Sequence, residues 1–304
     1  MIDLNVLSLQ DLFVHLTQDG SLERLLRAAR EEELAGIGDV TTRSMAGTDR
    51  PVVGELTARD EGVLAGLAVI PPLLNSFDVA LTFKSAAGDG EPCRAGQALG
   101  RLVGPLAEIL VVERTLLNIL GRLSGIASLT RRYVEAVRPA KAAICETRKT
   151  VPGLRALEKY AVRCGGGTLH RLGLHDAALY KDNHLAHVPP DELRSVLEEA
   201  IRAARSGDEL RFVEVEVDTL EQLGRVLAIE RGLVDIVLLD NMSIDDLRQA
   251  VALRDAEAPE VLLEASGGVT LQTVAAIAST GVDRISVGAL THSAASLDIG
   301  LDVR

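Results

Sequence analysis

Aromatic residues are scarce in this chain: they make up 2% of its 304 residues, and tryptophan is absent. A core without large rings must be packed from Leu, Val, Ile and Ala, and platforms on which bases could stack are missing. Positive charge is also short, with 32 Lys and Arg against 44 Asp and Glu and a formal net charge of −12. That sign argues against nucleic acid, whose binding rests on neutralising phosphates. No window reaches the roughly 18 uncharged apolar residues of a membrane span, so no membrane partner is expected. The opening MIDLNVLSLQDLFVHLTQDG lacks the basic stretch and unbroken apolar run of a secretory leader. Cysteine is limited to Cys93, Cys145 and Cys164, an odd number without close metal-ligand spacing. We read them as reduced, buried thiols in a cytoplasmic protein.

What is present is a globular balance, 47% hydrophobic and 25% charged residues, in a chain long enough for one large α/β barrel or two domains. Against the acidic background, residues 146–184 (ETRKTVPGLRALEKYAVRCGGGTLHRLGLHDAALYKDNH) hold seven Lys and Arg and three His. Like charges held together cost free energy unless an anion joins them. Arg148, Lys149, His170, Arg171 and Lys181, set among Pro-Gly and Gly-Gly-Gly turns, suggest a pocket for a small, highly charged anion.

Two patterns organise the chain. In residues 1–110, Leu22–Ala35 reads as an amphipathic helix, and 52–58, 62–65, 80–84 and 97–103 read as strands between Gly- and Asp-rich turns. This is a small α+β domain with an antiparallel sheet. Glu108–Val137 follows as a helical region, expected to break near Gly121 and Gly125. From Ala142 onward, short apolar runs end in a polar residue or glycine, each before a helical stretch: AAICE146, AALYK181, FVEVEV217, DIVLLD240, VLLEAS266 and RISVG288. Glu216, Asp240, Glu264 and Ser286 are 24, 24 and 22 residues apart by their numbers, a near-constant step of strand plus helix. That calls for right-handed parallel β/α winding, most economically a barrel. Ser243 and Thr270 are placed as helix starts.

A parallel barrel carries its site at the C-terminal strand ends. Ser266-Gly267-Gly268 before a helix, and Gly288 after the last strand, offer backbone N–H groups to a phosphate. Glu214 and Glu216 share one strand face, and Asp240 ends the next strand. Such carboxylates suit Mg²⁺ held through water, hydrogen bonds to sugar hydroxyls, or internal ion pairs with Arg148, Lys149 or Lys181. Lys181 suits an anion clamp, with a Schiff-base lysine as the alternative. His175, His184 and His187 read as structural histidines, and no carboxylate–His pattern supports a zinc site built from His170, His175 and His184. Arg114, on the long helix, reads as a solvated or intrahelically paired arginine.

Over nearly its whole length the chain resembles the quinolinate phosphoribosyltransferase family, of the type II phosphoribosyltransferases. The matching stretches are GDVTT at 38–42, DEGVLAGL at 60–67, ERTLLNILGRLSGIASLTRRYV at 113–134, ETRKTVPGLRALEKYAVRCGGG at 146–167, HRLGLHDAALYKDNH at 170–184, EVEVDTLEQL at 214–223, LLDNMS at 238–243, LEASGGVT at 263–270 and SVGALTHSAASLDIGLD at 286–302. The resemblance implies an N-terminal α/β sandwich (1–117) joined by a C-terminal tail (290–304), and an incomplete β/α barrel (118–289). It implies transfer of phosphoribosyl from phosphoribosyl pyrophosphate to quinolinate with loss of CO₂, giving nicotinate mononucleotide and pyrophosphate in de novo NAD biosynthesis. Arg148, Lys149, His170, Arg171 and Lys181, with Thr147, would form the dicarboxylate pocket. Arg114 would enter it from the other subunit of a homodimer with shared active sites; assembly beyond the dimer is left open. Lys149, Lys181, Glu216 and Asp240 would be catalytic, the last two facing the ribosyl group and Mg²⁺, which is held mostly through substrate and water. Ser266, Gly267, Gly268 and Gly288 would hold the 5′-phosphate. Leu169 stands where the family usually has Asn, Glu146 where it often has Asp, and Tyr180 where it has an aliphatic residue; Leu169 is expected to alter the pocket. A molybdenum-transport-associated relative, a non-catalytic barrel that binds a phosphorylated metabolite, and a lysine-dependent aldolase are the competing readings.

Overall fold

The computed structural model describes residues 2–185, 188–189, 191–207 and 209–303. The chain folds as two compact units, one of Val6–Arg131, Thr150–Gly166 and Leu290–Arg304, the other of Met1–Asn5, Arg132–Lys149 and Gly167–Ala289. Elements are numbered in chain order. All three cysteines are free and buried, as expected.

The first unit contains helices α1 (Leu9–Thr17), α2 (Ser21–Leu34), α3 (Val40–Arg43) and α4 (Ile70–Phe77). Its strands are β1 (Pro51–Ala58), β2 (Gly62–Val63), β3 (Thr82–Ser85), β4 (Pro92–Cys93) and β5 (Ala98–Pro105), joined by the C-terminal β12 (Ile299–Val303). Pairing is antiparallel in the order β12-β1-β5-β3, with β2 and β4 forming a separate ribbon. Asp39 explains the GDVTT stretch: its carboxylate accepts the Thr41 and Thr42 N–H groups and caps α3. In DEGVLAGL, the Val63 and Ala65 N–H groups donate to Ser128 Oγ (2.8 Å) and Ser124 Oγ (3.1 Å) on the next long helix.

That helix, α5 (Leu106–Ala136), runs unbroken for 31 residues, so the expected break near Gly121 and Gly125 does not occur. Glycine costs roughly 1 kcal/mol in a helix interior, but here the missing Cβ atoms admit the tail. A Cβ on Gly125 would lie 1.9 Å from the Ala295 carbonyl oxygen, and one on Gly121 would lie 2.9 Å from that of Leu297. The Leu297 N–H donates to the Gly121 carbonyl at 2.9 Å. Gly125→Ala is therefore expected to lower stability by about 1–3 kcal/mol through overpacking, measured by urea unfolding; unchanged stability would show that the tail is not seated in this groove. Helix α6 (Arg155–Cys164) completes the unit, with Glu158 fully buried and paired to Arg122 at 2.7 Å.

The second unit is a parallel sheet of β6 (Ala143–Cys145), β7 (Ala178–Tyr180), β8 (Val213–Val217), β9 (Ile236–Asp240), β10 (Leu262–Ser266) and β11 (Arg284–Ser286), in the order β6-β11-β10-β9-β8-β7. The six apolar runs read from sequence are these six strands, though the last ends at Ser286, short of Gly288. First strand pairs with last, as a closing barrel requires. Beyond β6, Thr168 adds one parallel bridge to Cys145, and no pairing joins β6 to β7 among the described residues. The barrel is incomplete. Between strands lie α7 (Asp182–Leu185), α8 (Leu193–Gly207), α9 (Leu220–Leu227), α10 (Ile244–Glu257) and α11 (Val274–Ala278), with α12 (Ala289–His292) after the last. Ser243 caps α10 by accepting the Asp246 N–H at 3.1 Å. At Thr270 the helix starts later than expected, after a turn in which the Thr270 N–H donates to Thr273 Oγ1 at 3.0 Å.

Candidate active site

Alternation along the strands builds the site in two tiers. Val213, Val215 and Val217 are buried on one face of β8, which turns Glu214 and Glu216 to the other. The same two-residue step gives Leu179 and Lys181, Leu238 and Asp240, Glu264 and Ser266, and Arg284 and Ser286. The upper members ring a cavity of about 410 Å³ lined by Thr147, Arg148, Lys149, His170, Arg171, Leu179, Lys181, Glu216, Leu238, Asp240, Glu264, Ser266 and Ser286. Register aligns it: Asp240 is paired with Ser266, Ser286 with Cys145 and Tyr180 with Val215.

The cationic side is set by Glu146. Its buried carboxylate, at the end of β6, accepts the His170 N–H with both oxygens at 3.1 Å, so Glu146 ties Thr147-Arg148-Lys149 to His170-Arg171. Burial lowers the pKa of Arg171 first, and the neighbouring Arg148 charge lowers it further. Arg148 Nε is buried without a hydrogen-bond partner among the described residues. Two guanidiniums that repel each other inside a cavity are the electrostatic arrangement an incoming anion relieves.

The opposite side is mixed. Lys181 Nζ and the Glu216 carboxylate form a close ion pair across the pocket edge, one of the internal pairings the sequence allowed. Asp240 Oδ2 accepts from Asn241 Nδ2 at 2.7 Å, and the Asn241 N–H donates to the Ser266 carbonyl at 2.9 Å. Gly267 sits against this turn with φ +96°, and a Cβ there would fall 2.1 Å from Asn241 Oδ1. Only glycine fits that backbone and that space.

Of the residues expected from sequence, Thr147, Arg148, Lys149, His170, Arg171, Lys181, Glu216, Asp240 and Ser266 line the cavity. Gly267 and Gly268 follow Ser266 in the turn beside it, and Gly288 comes two residues after the lining Ser286; none of the three is itself a lining residue. Arg114 is exposed on α5, with no ion pair among the described residues. Glu264 was missed as a lining residue; stepping back two positions from Ser266 would have found it. Leu169 is not part of this cavity. Its side chain is buried and lines a separate space of about 380 Å³ with Ile2, Asp3, Asn5, Phe212 and Arg284, and its N–H donates to Asn5 Oδ1 at 2.7 Å. Along an extended segment, adjacent residues face opposite ways, so Leu169 points away when His170 faces the pocket.

His170 is not gathered with His175 and His184. His175 is exposed, and His184 Nδ1 accepts the Lys181 N–H at 3.0 Å; His187 lies outside the described residues. Instead His170 Nε2 lies 3.0 Å from Glu214 Oε2 and 3.4 Å from Glu264 Oε1. Burial works against a charged ring, but Glu264 and Glu214 outweigh it and push the His170 pKa up to about 9. For Glu264 the balance favours the charged form: burial disfavours its charge, yet His170 and Arg284 hold its pKa down at about 2.

The family model described as quinolinate phosphoribosyl transferase, N-terminal domain, matches residues 39–124, and that described as the C-terminal domain matches residues 126–302. A carboxylating nicotinate-nucleotide pyrophosphorylase of Mycobacterium leprae (strain TN) is 45% identical, covering 94% of this chain and 98% of that protein. A probable carboxylating nicotinate-nucleotide pyrophosphorylase of Bacillus subtilis (strain 168) is 40% identical, covering 93% of each. The solved structure of the nicotinate-nucleotide pyrophosphorylase from Francisella tularensis is 34% identical, with a TM-score of 0.84 and full coverage of both chains.

Proposed function

The chain belongs to the quinolinate phosphoribosyltransferase family, and we propose that its barrel cavity is where quinolinate and phosphoribosyl pyrophosphate react. The enzyme transfers phosphoribosyl to quinolinate with decarboxylation, giving nicotinate mononucleotide, pyrophosphate and CO₂ for de novo NAD biosynthesis. The single observation that carries the site assignment is the cluster of Arg148 and Arg171 in one cavity with Lys149 and Lys181. A pyridine with two adjacent carboxylates matches that cluster in charge and in the forked geometry of guanidinium.

The roles follow from placement. Arg148, Arg171, Lys149 and Lys181, together with Thr147 and His170, surround the dicarboxylate, and Arg114 of a second copy completes the pocket in a homodimer. Held there, the ring nitrogen is aimed at the anomeric carbon, which removes most of the entropic cost of a two-substrate reaction. Glu216 and Asp240 face the ribosyl group, where carboxylates stabilise positive charge developing at that carbon. Ser266, Gly267, Gly268 and Gly288 hold the 5′-phosphate at the turns after β10 and β11, as barrels often do after their final strands. Once the ring nitrogen is quaternary, its positive charge stabilises the electron pair left on the ring carbon as CO₂ departs, and that carbon then takes up a proton from water.

Mg²⁺ fits the open side of the cavity. Asp240 and Glu216 are hard oxygen donors, and one Asp240 oxygen is already engaged by Asn241, which suits a hydrated ion carried mainly by the diphosphate. When bound, it neutralises charge on the departing pyrophosphate.

Discrimination between ring acids tests the reading. Quinolinate should support turnover with Mg²⁺ and phosphoribosyl pyrophosphate. Nicotinate, lacking one carboxylate, should fall by about 10²-fold or more in kcat/KM, because it leaves a buried guanidinium unpaired. Equal or better use of nicotinate would overturn the dicarboxylate assignment.

A further inference from the structure

Arg171 stands in an irregular stretch. Among the described residues, no strand ladder or helix holds 169–177, between the lone bridge at Thr168 and the start of β7 at Ala178. Its charge is also repelled by the neighbouring Arg148. A guanidinium that must meet a carboxylate with its forked face needs a fixed backbone beneath it. Here something other than secondary structure has to supply that backbone.

One buried ion pair does so. Asp176 Oδ2 accepts the Leu172 N–H and Oδ1 accepts the Gly173 N–H, each at 2.8 Å. Arg211 Nη1 lies 3.2 Å from Asp176 Oδ2 and donates to the His170 carbonyl at 3.5 Å. The Arg211 backbone N–H donates to the Asp176 carbonyl at 2.9 Å, which ties the loop to the residues just before β8. His170 and Leu172, the two neighbours of Arg171, are thus fastened to the same pair. Arg171 Nη1 itself donates to the Ala177 carbonyl at 3.5 Å. Burial disfavours the Asp176 charge, but the two N–H groups and Arg211 hold its pKa below the ordinary carboxylate value.

Neither member of the pair lines the cavity, and the side chains of Arg211 and Asp176 are only 8% and 6% exposed. A buried pair of this kind adds little net stability over apolar residues of the same volume. What it supplies here is direction. We propose that Asp176 and Arg211 are positioning residues whose buried pair clamps the backbone on both sides of Arg171 and so aims its guanidinium at the dicarboxylate. Only an ionised carboxylate accepts from both N–H groups and from Arg211 together. An amide in its place would turn its NH₂ toward one of these donors.

This inference rests on the cavity being the dicarboxylate site, and the test separates the two claims. Asp176→Asn is expected to raise the quinolinate KM about tenfold and to leave the KM for phosphoribosyl pyrophosphate within about twofold of the parent, as for a misdirected guanidinium. In an Arg171→Ala background the same substitution should change kcat/KM for quinolinate by less than about twofold, because the side chain it aims is gone. A merely structural role predicts the same loss in both backgrounds. That result overturns the proposal, as does an unchanged quinolinate KM. Asp176→Glu keeps the charge but shifts the carboxylate by one methylene; it should raise the quinolinate KM as well, and serves if the Asn variant does not fold. Crystal structures of the parent and the variant read the clamp without catalysis: the Arg171 guanidinium should leave its parental position, and one that stays in place overturns the proposal. If the parent fails to turn over quinolinate while Arg171 moves in this way, the functional reading fails and the clamp stands.

Discussion

Arg114→Ala is expected to lower kcat/KM by about 10²–10³-fold, the range for stripping one partner from a desolvated charge pair, while leaving the melting temperature unchanged. The residue is exposed on α5 and has no ion pair among the described residues, so its loss costs the isolated subunit little. Lys181→Ala should be equally inactive for a different reason, since it removes a cation from the barrel's own cavity. If the sites are shared between two copies, mixing the two inactive proteins rebuilds one complete site in each mixed dimer. With random exchange, about one quarter of parental activity returns. Full activity of Arg114→Ala alone would rule out its role, and no recovery after demonstrated subunit exchange would rule out sharing.

Gly267→Ala should be nearly as damaging, and on the other substrate. The added Cβ would sit 2.1 Å from Asn241 Oδ1 and would force an L-residue to φ +96°. Asn241 holds Asp240 and the Ser266 carbonyl, so relieving the clash displaces both the phosphate turn and a carboxylate facing the ribose. A displacement of about 1 Å at such a position costs on the order of 10²-fold. The loss should appear in the KM for phosphoribosyl pyrophosphate and in kcat, with quinolinate binding within about threefold of the parent because the cation cluster lies on other strands. A variant with unchanged kinetics would show that this turn does not carry the 5′-phosphate.

The strand ends were legible because a barrel repeats: a polar residue every 22 to 24 positions marks where each β-strand meets its loop. The cation cluster was legible because seven basic residues in one stretch of an acidic chain have no cheap solvated explanation. The lower tier was not read. Glu214 was seen as a carboxylate and Glu264 only as a marker of periodicity, since a linear sequence does not show that β8, β10 and β11 bring them to one histidine and one arginine. Gly121 and Gly125 misled for the opposite reason. Their low helix propensity is local, whereas the tail that needs their missing side chains is some 170 residues away in the chain, at Ala295 and Leu297. Leu169 was placed near the pocket by its sequence neighbours, but alternation of facing directs it to the other end of the sheet, against Asn5.

Counting product against lost carboxylate tests the central claim most directly. Quinolinate labelled in its 2-carboxylate, incubated with the protein, phosphoribosyl pyrophosphate and Mg²⁺, should release one labelled CO₂ for each nicotinate mononucleotide formed, and Arg148→Ala should suppress both together. Absence of nucleotide, or nucleotide that retains the label, would contradict the account.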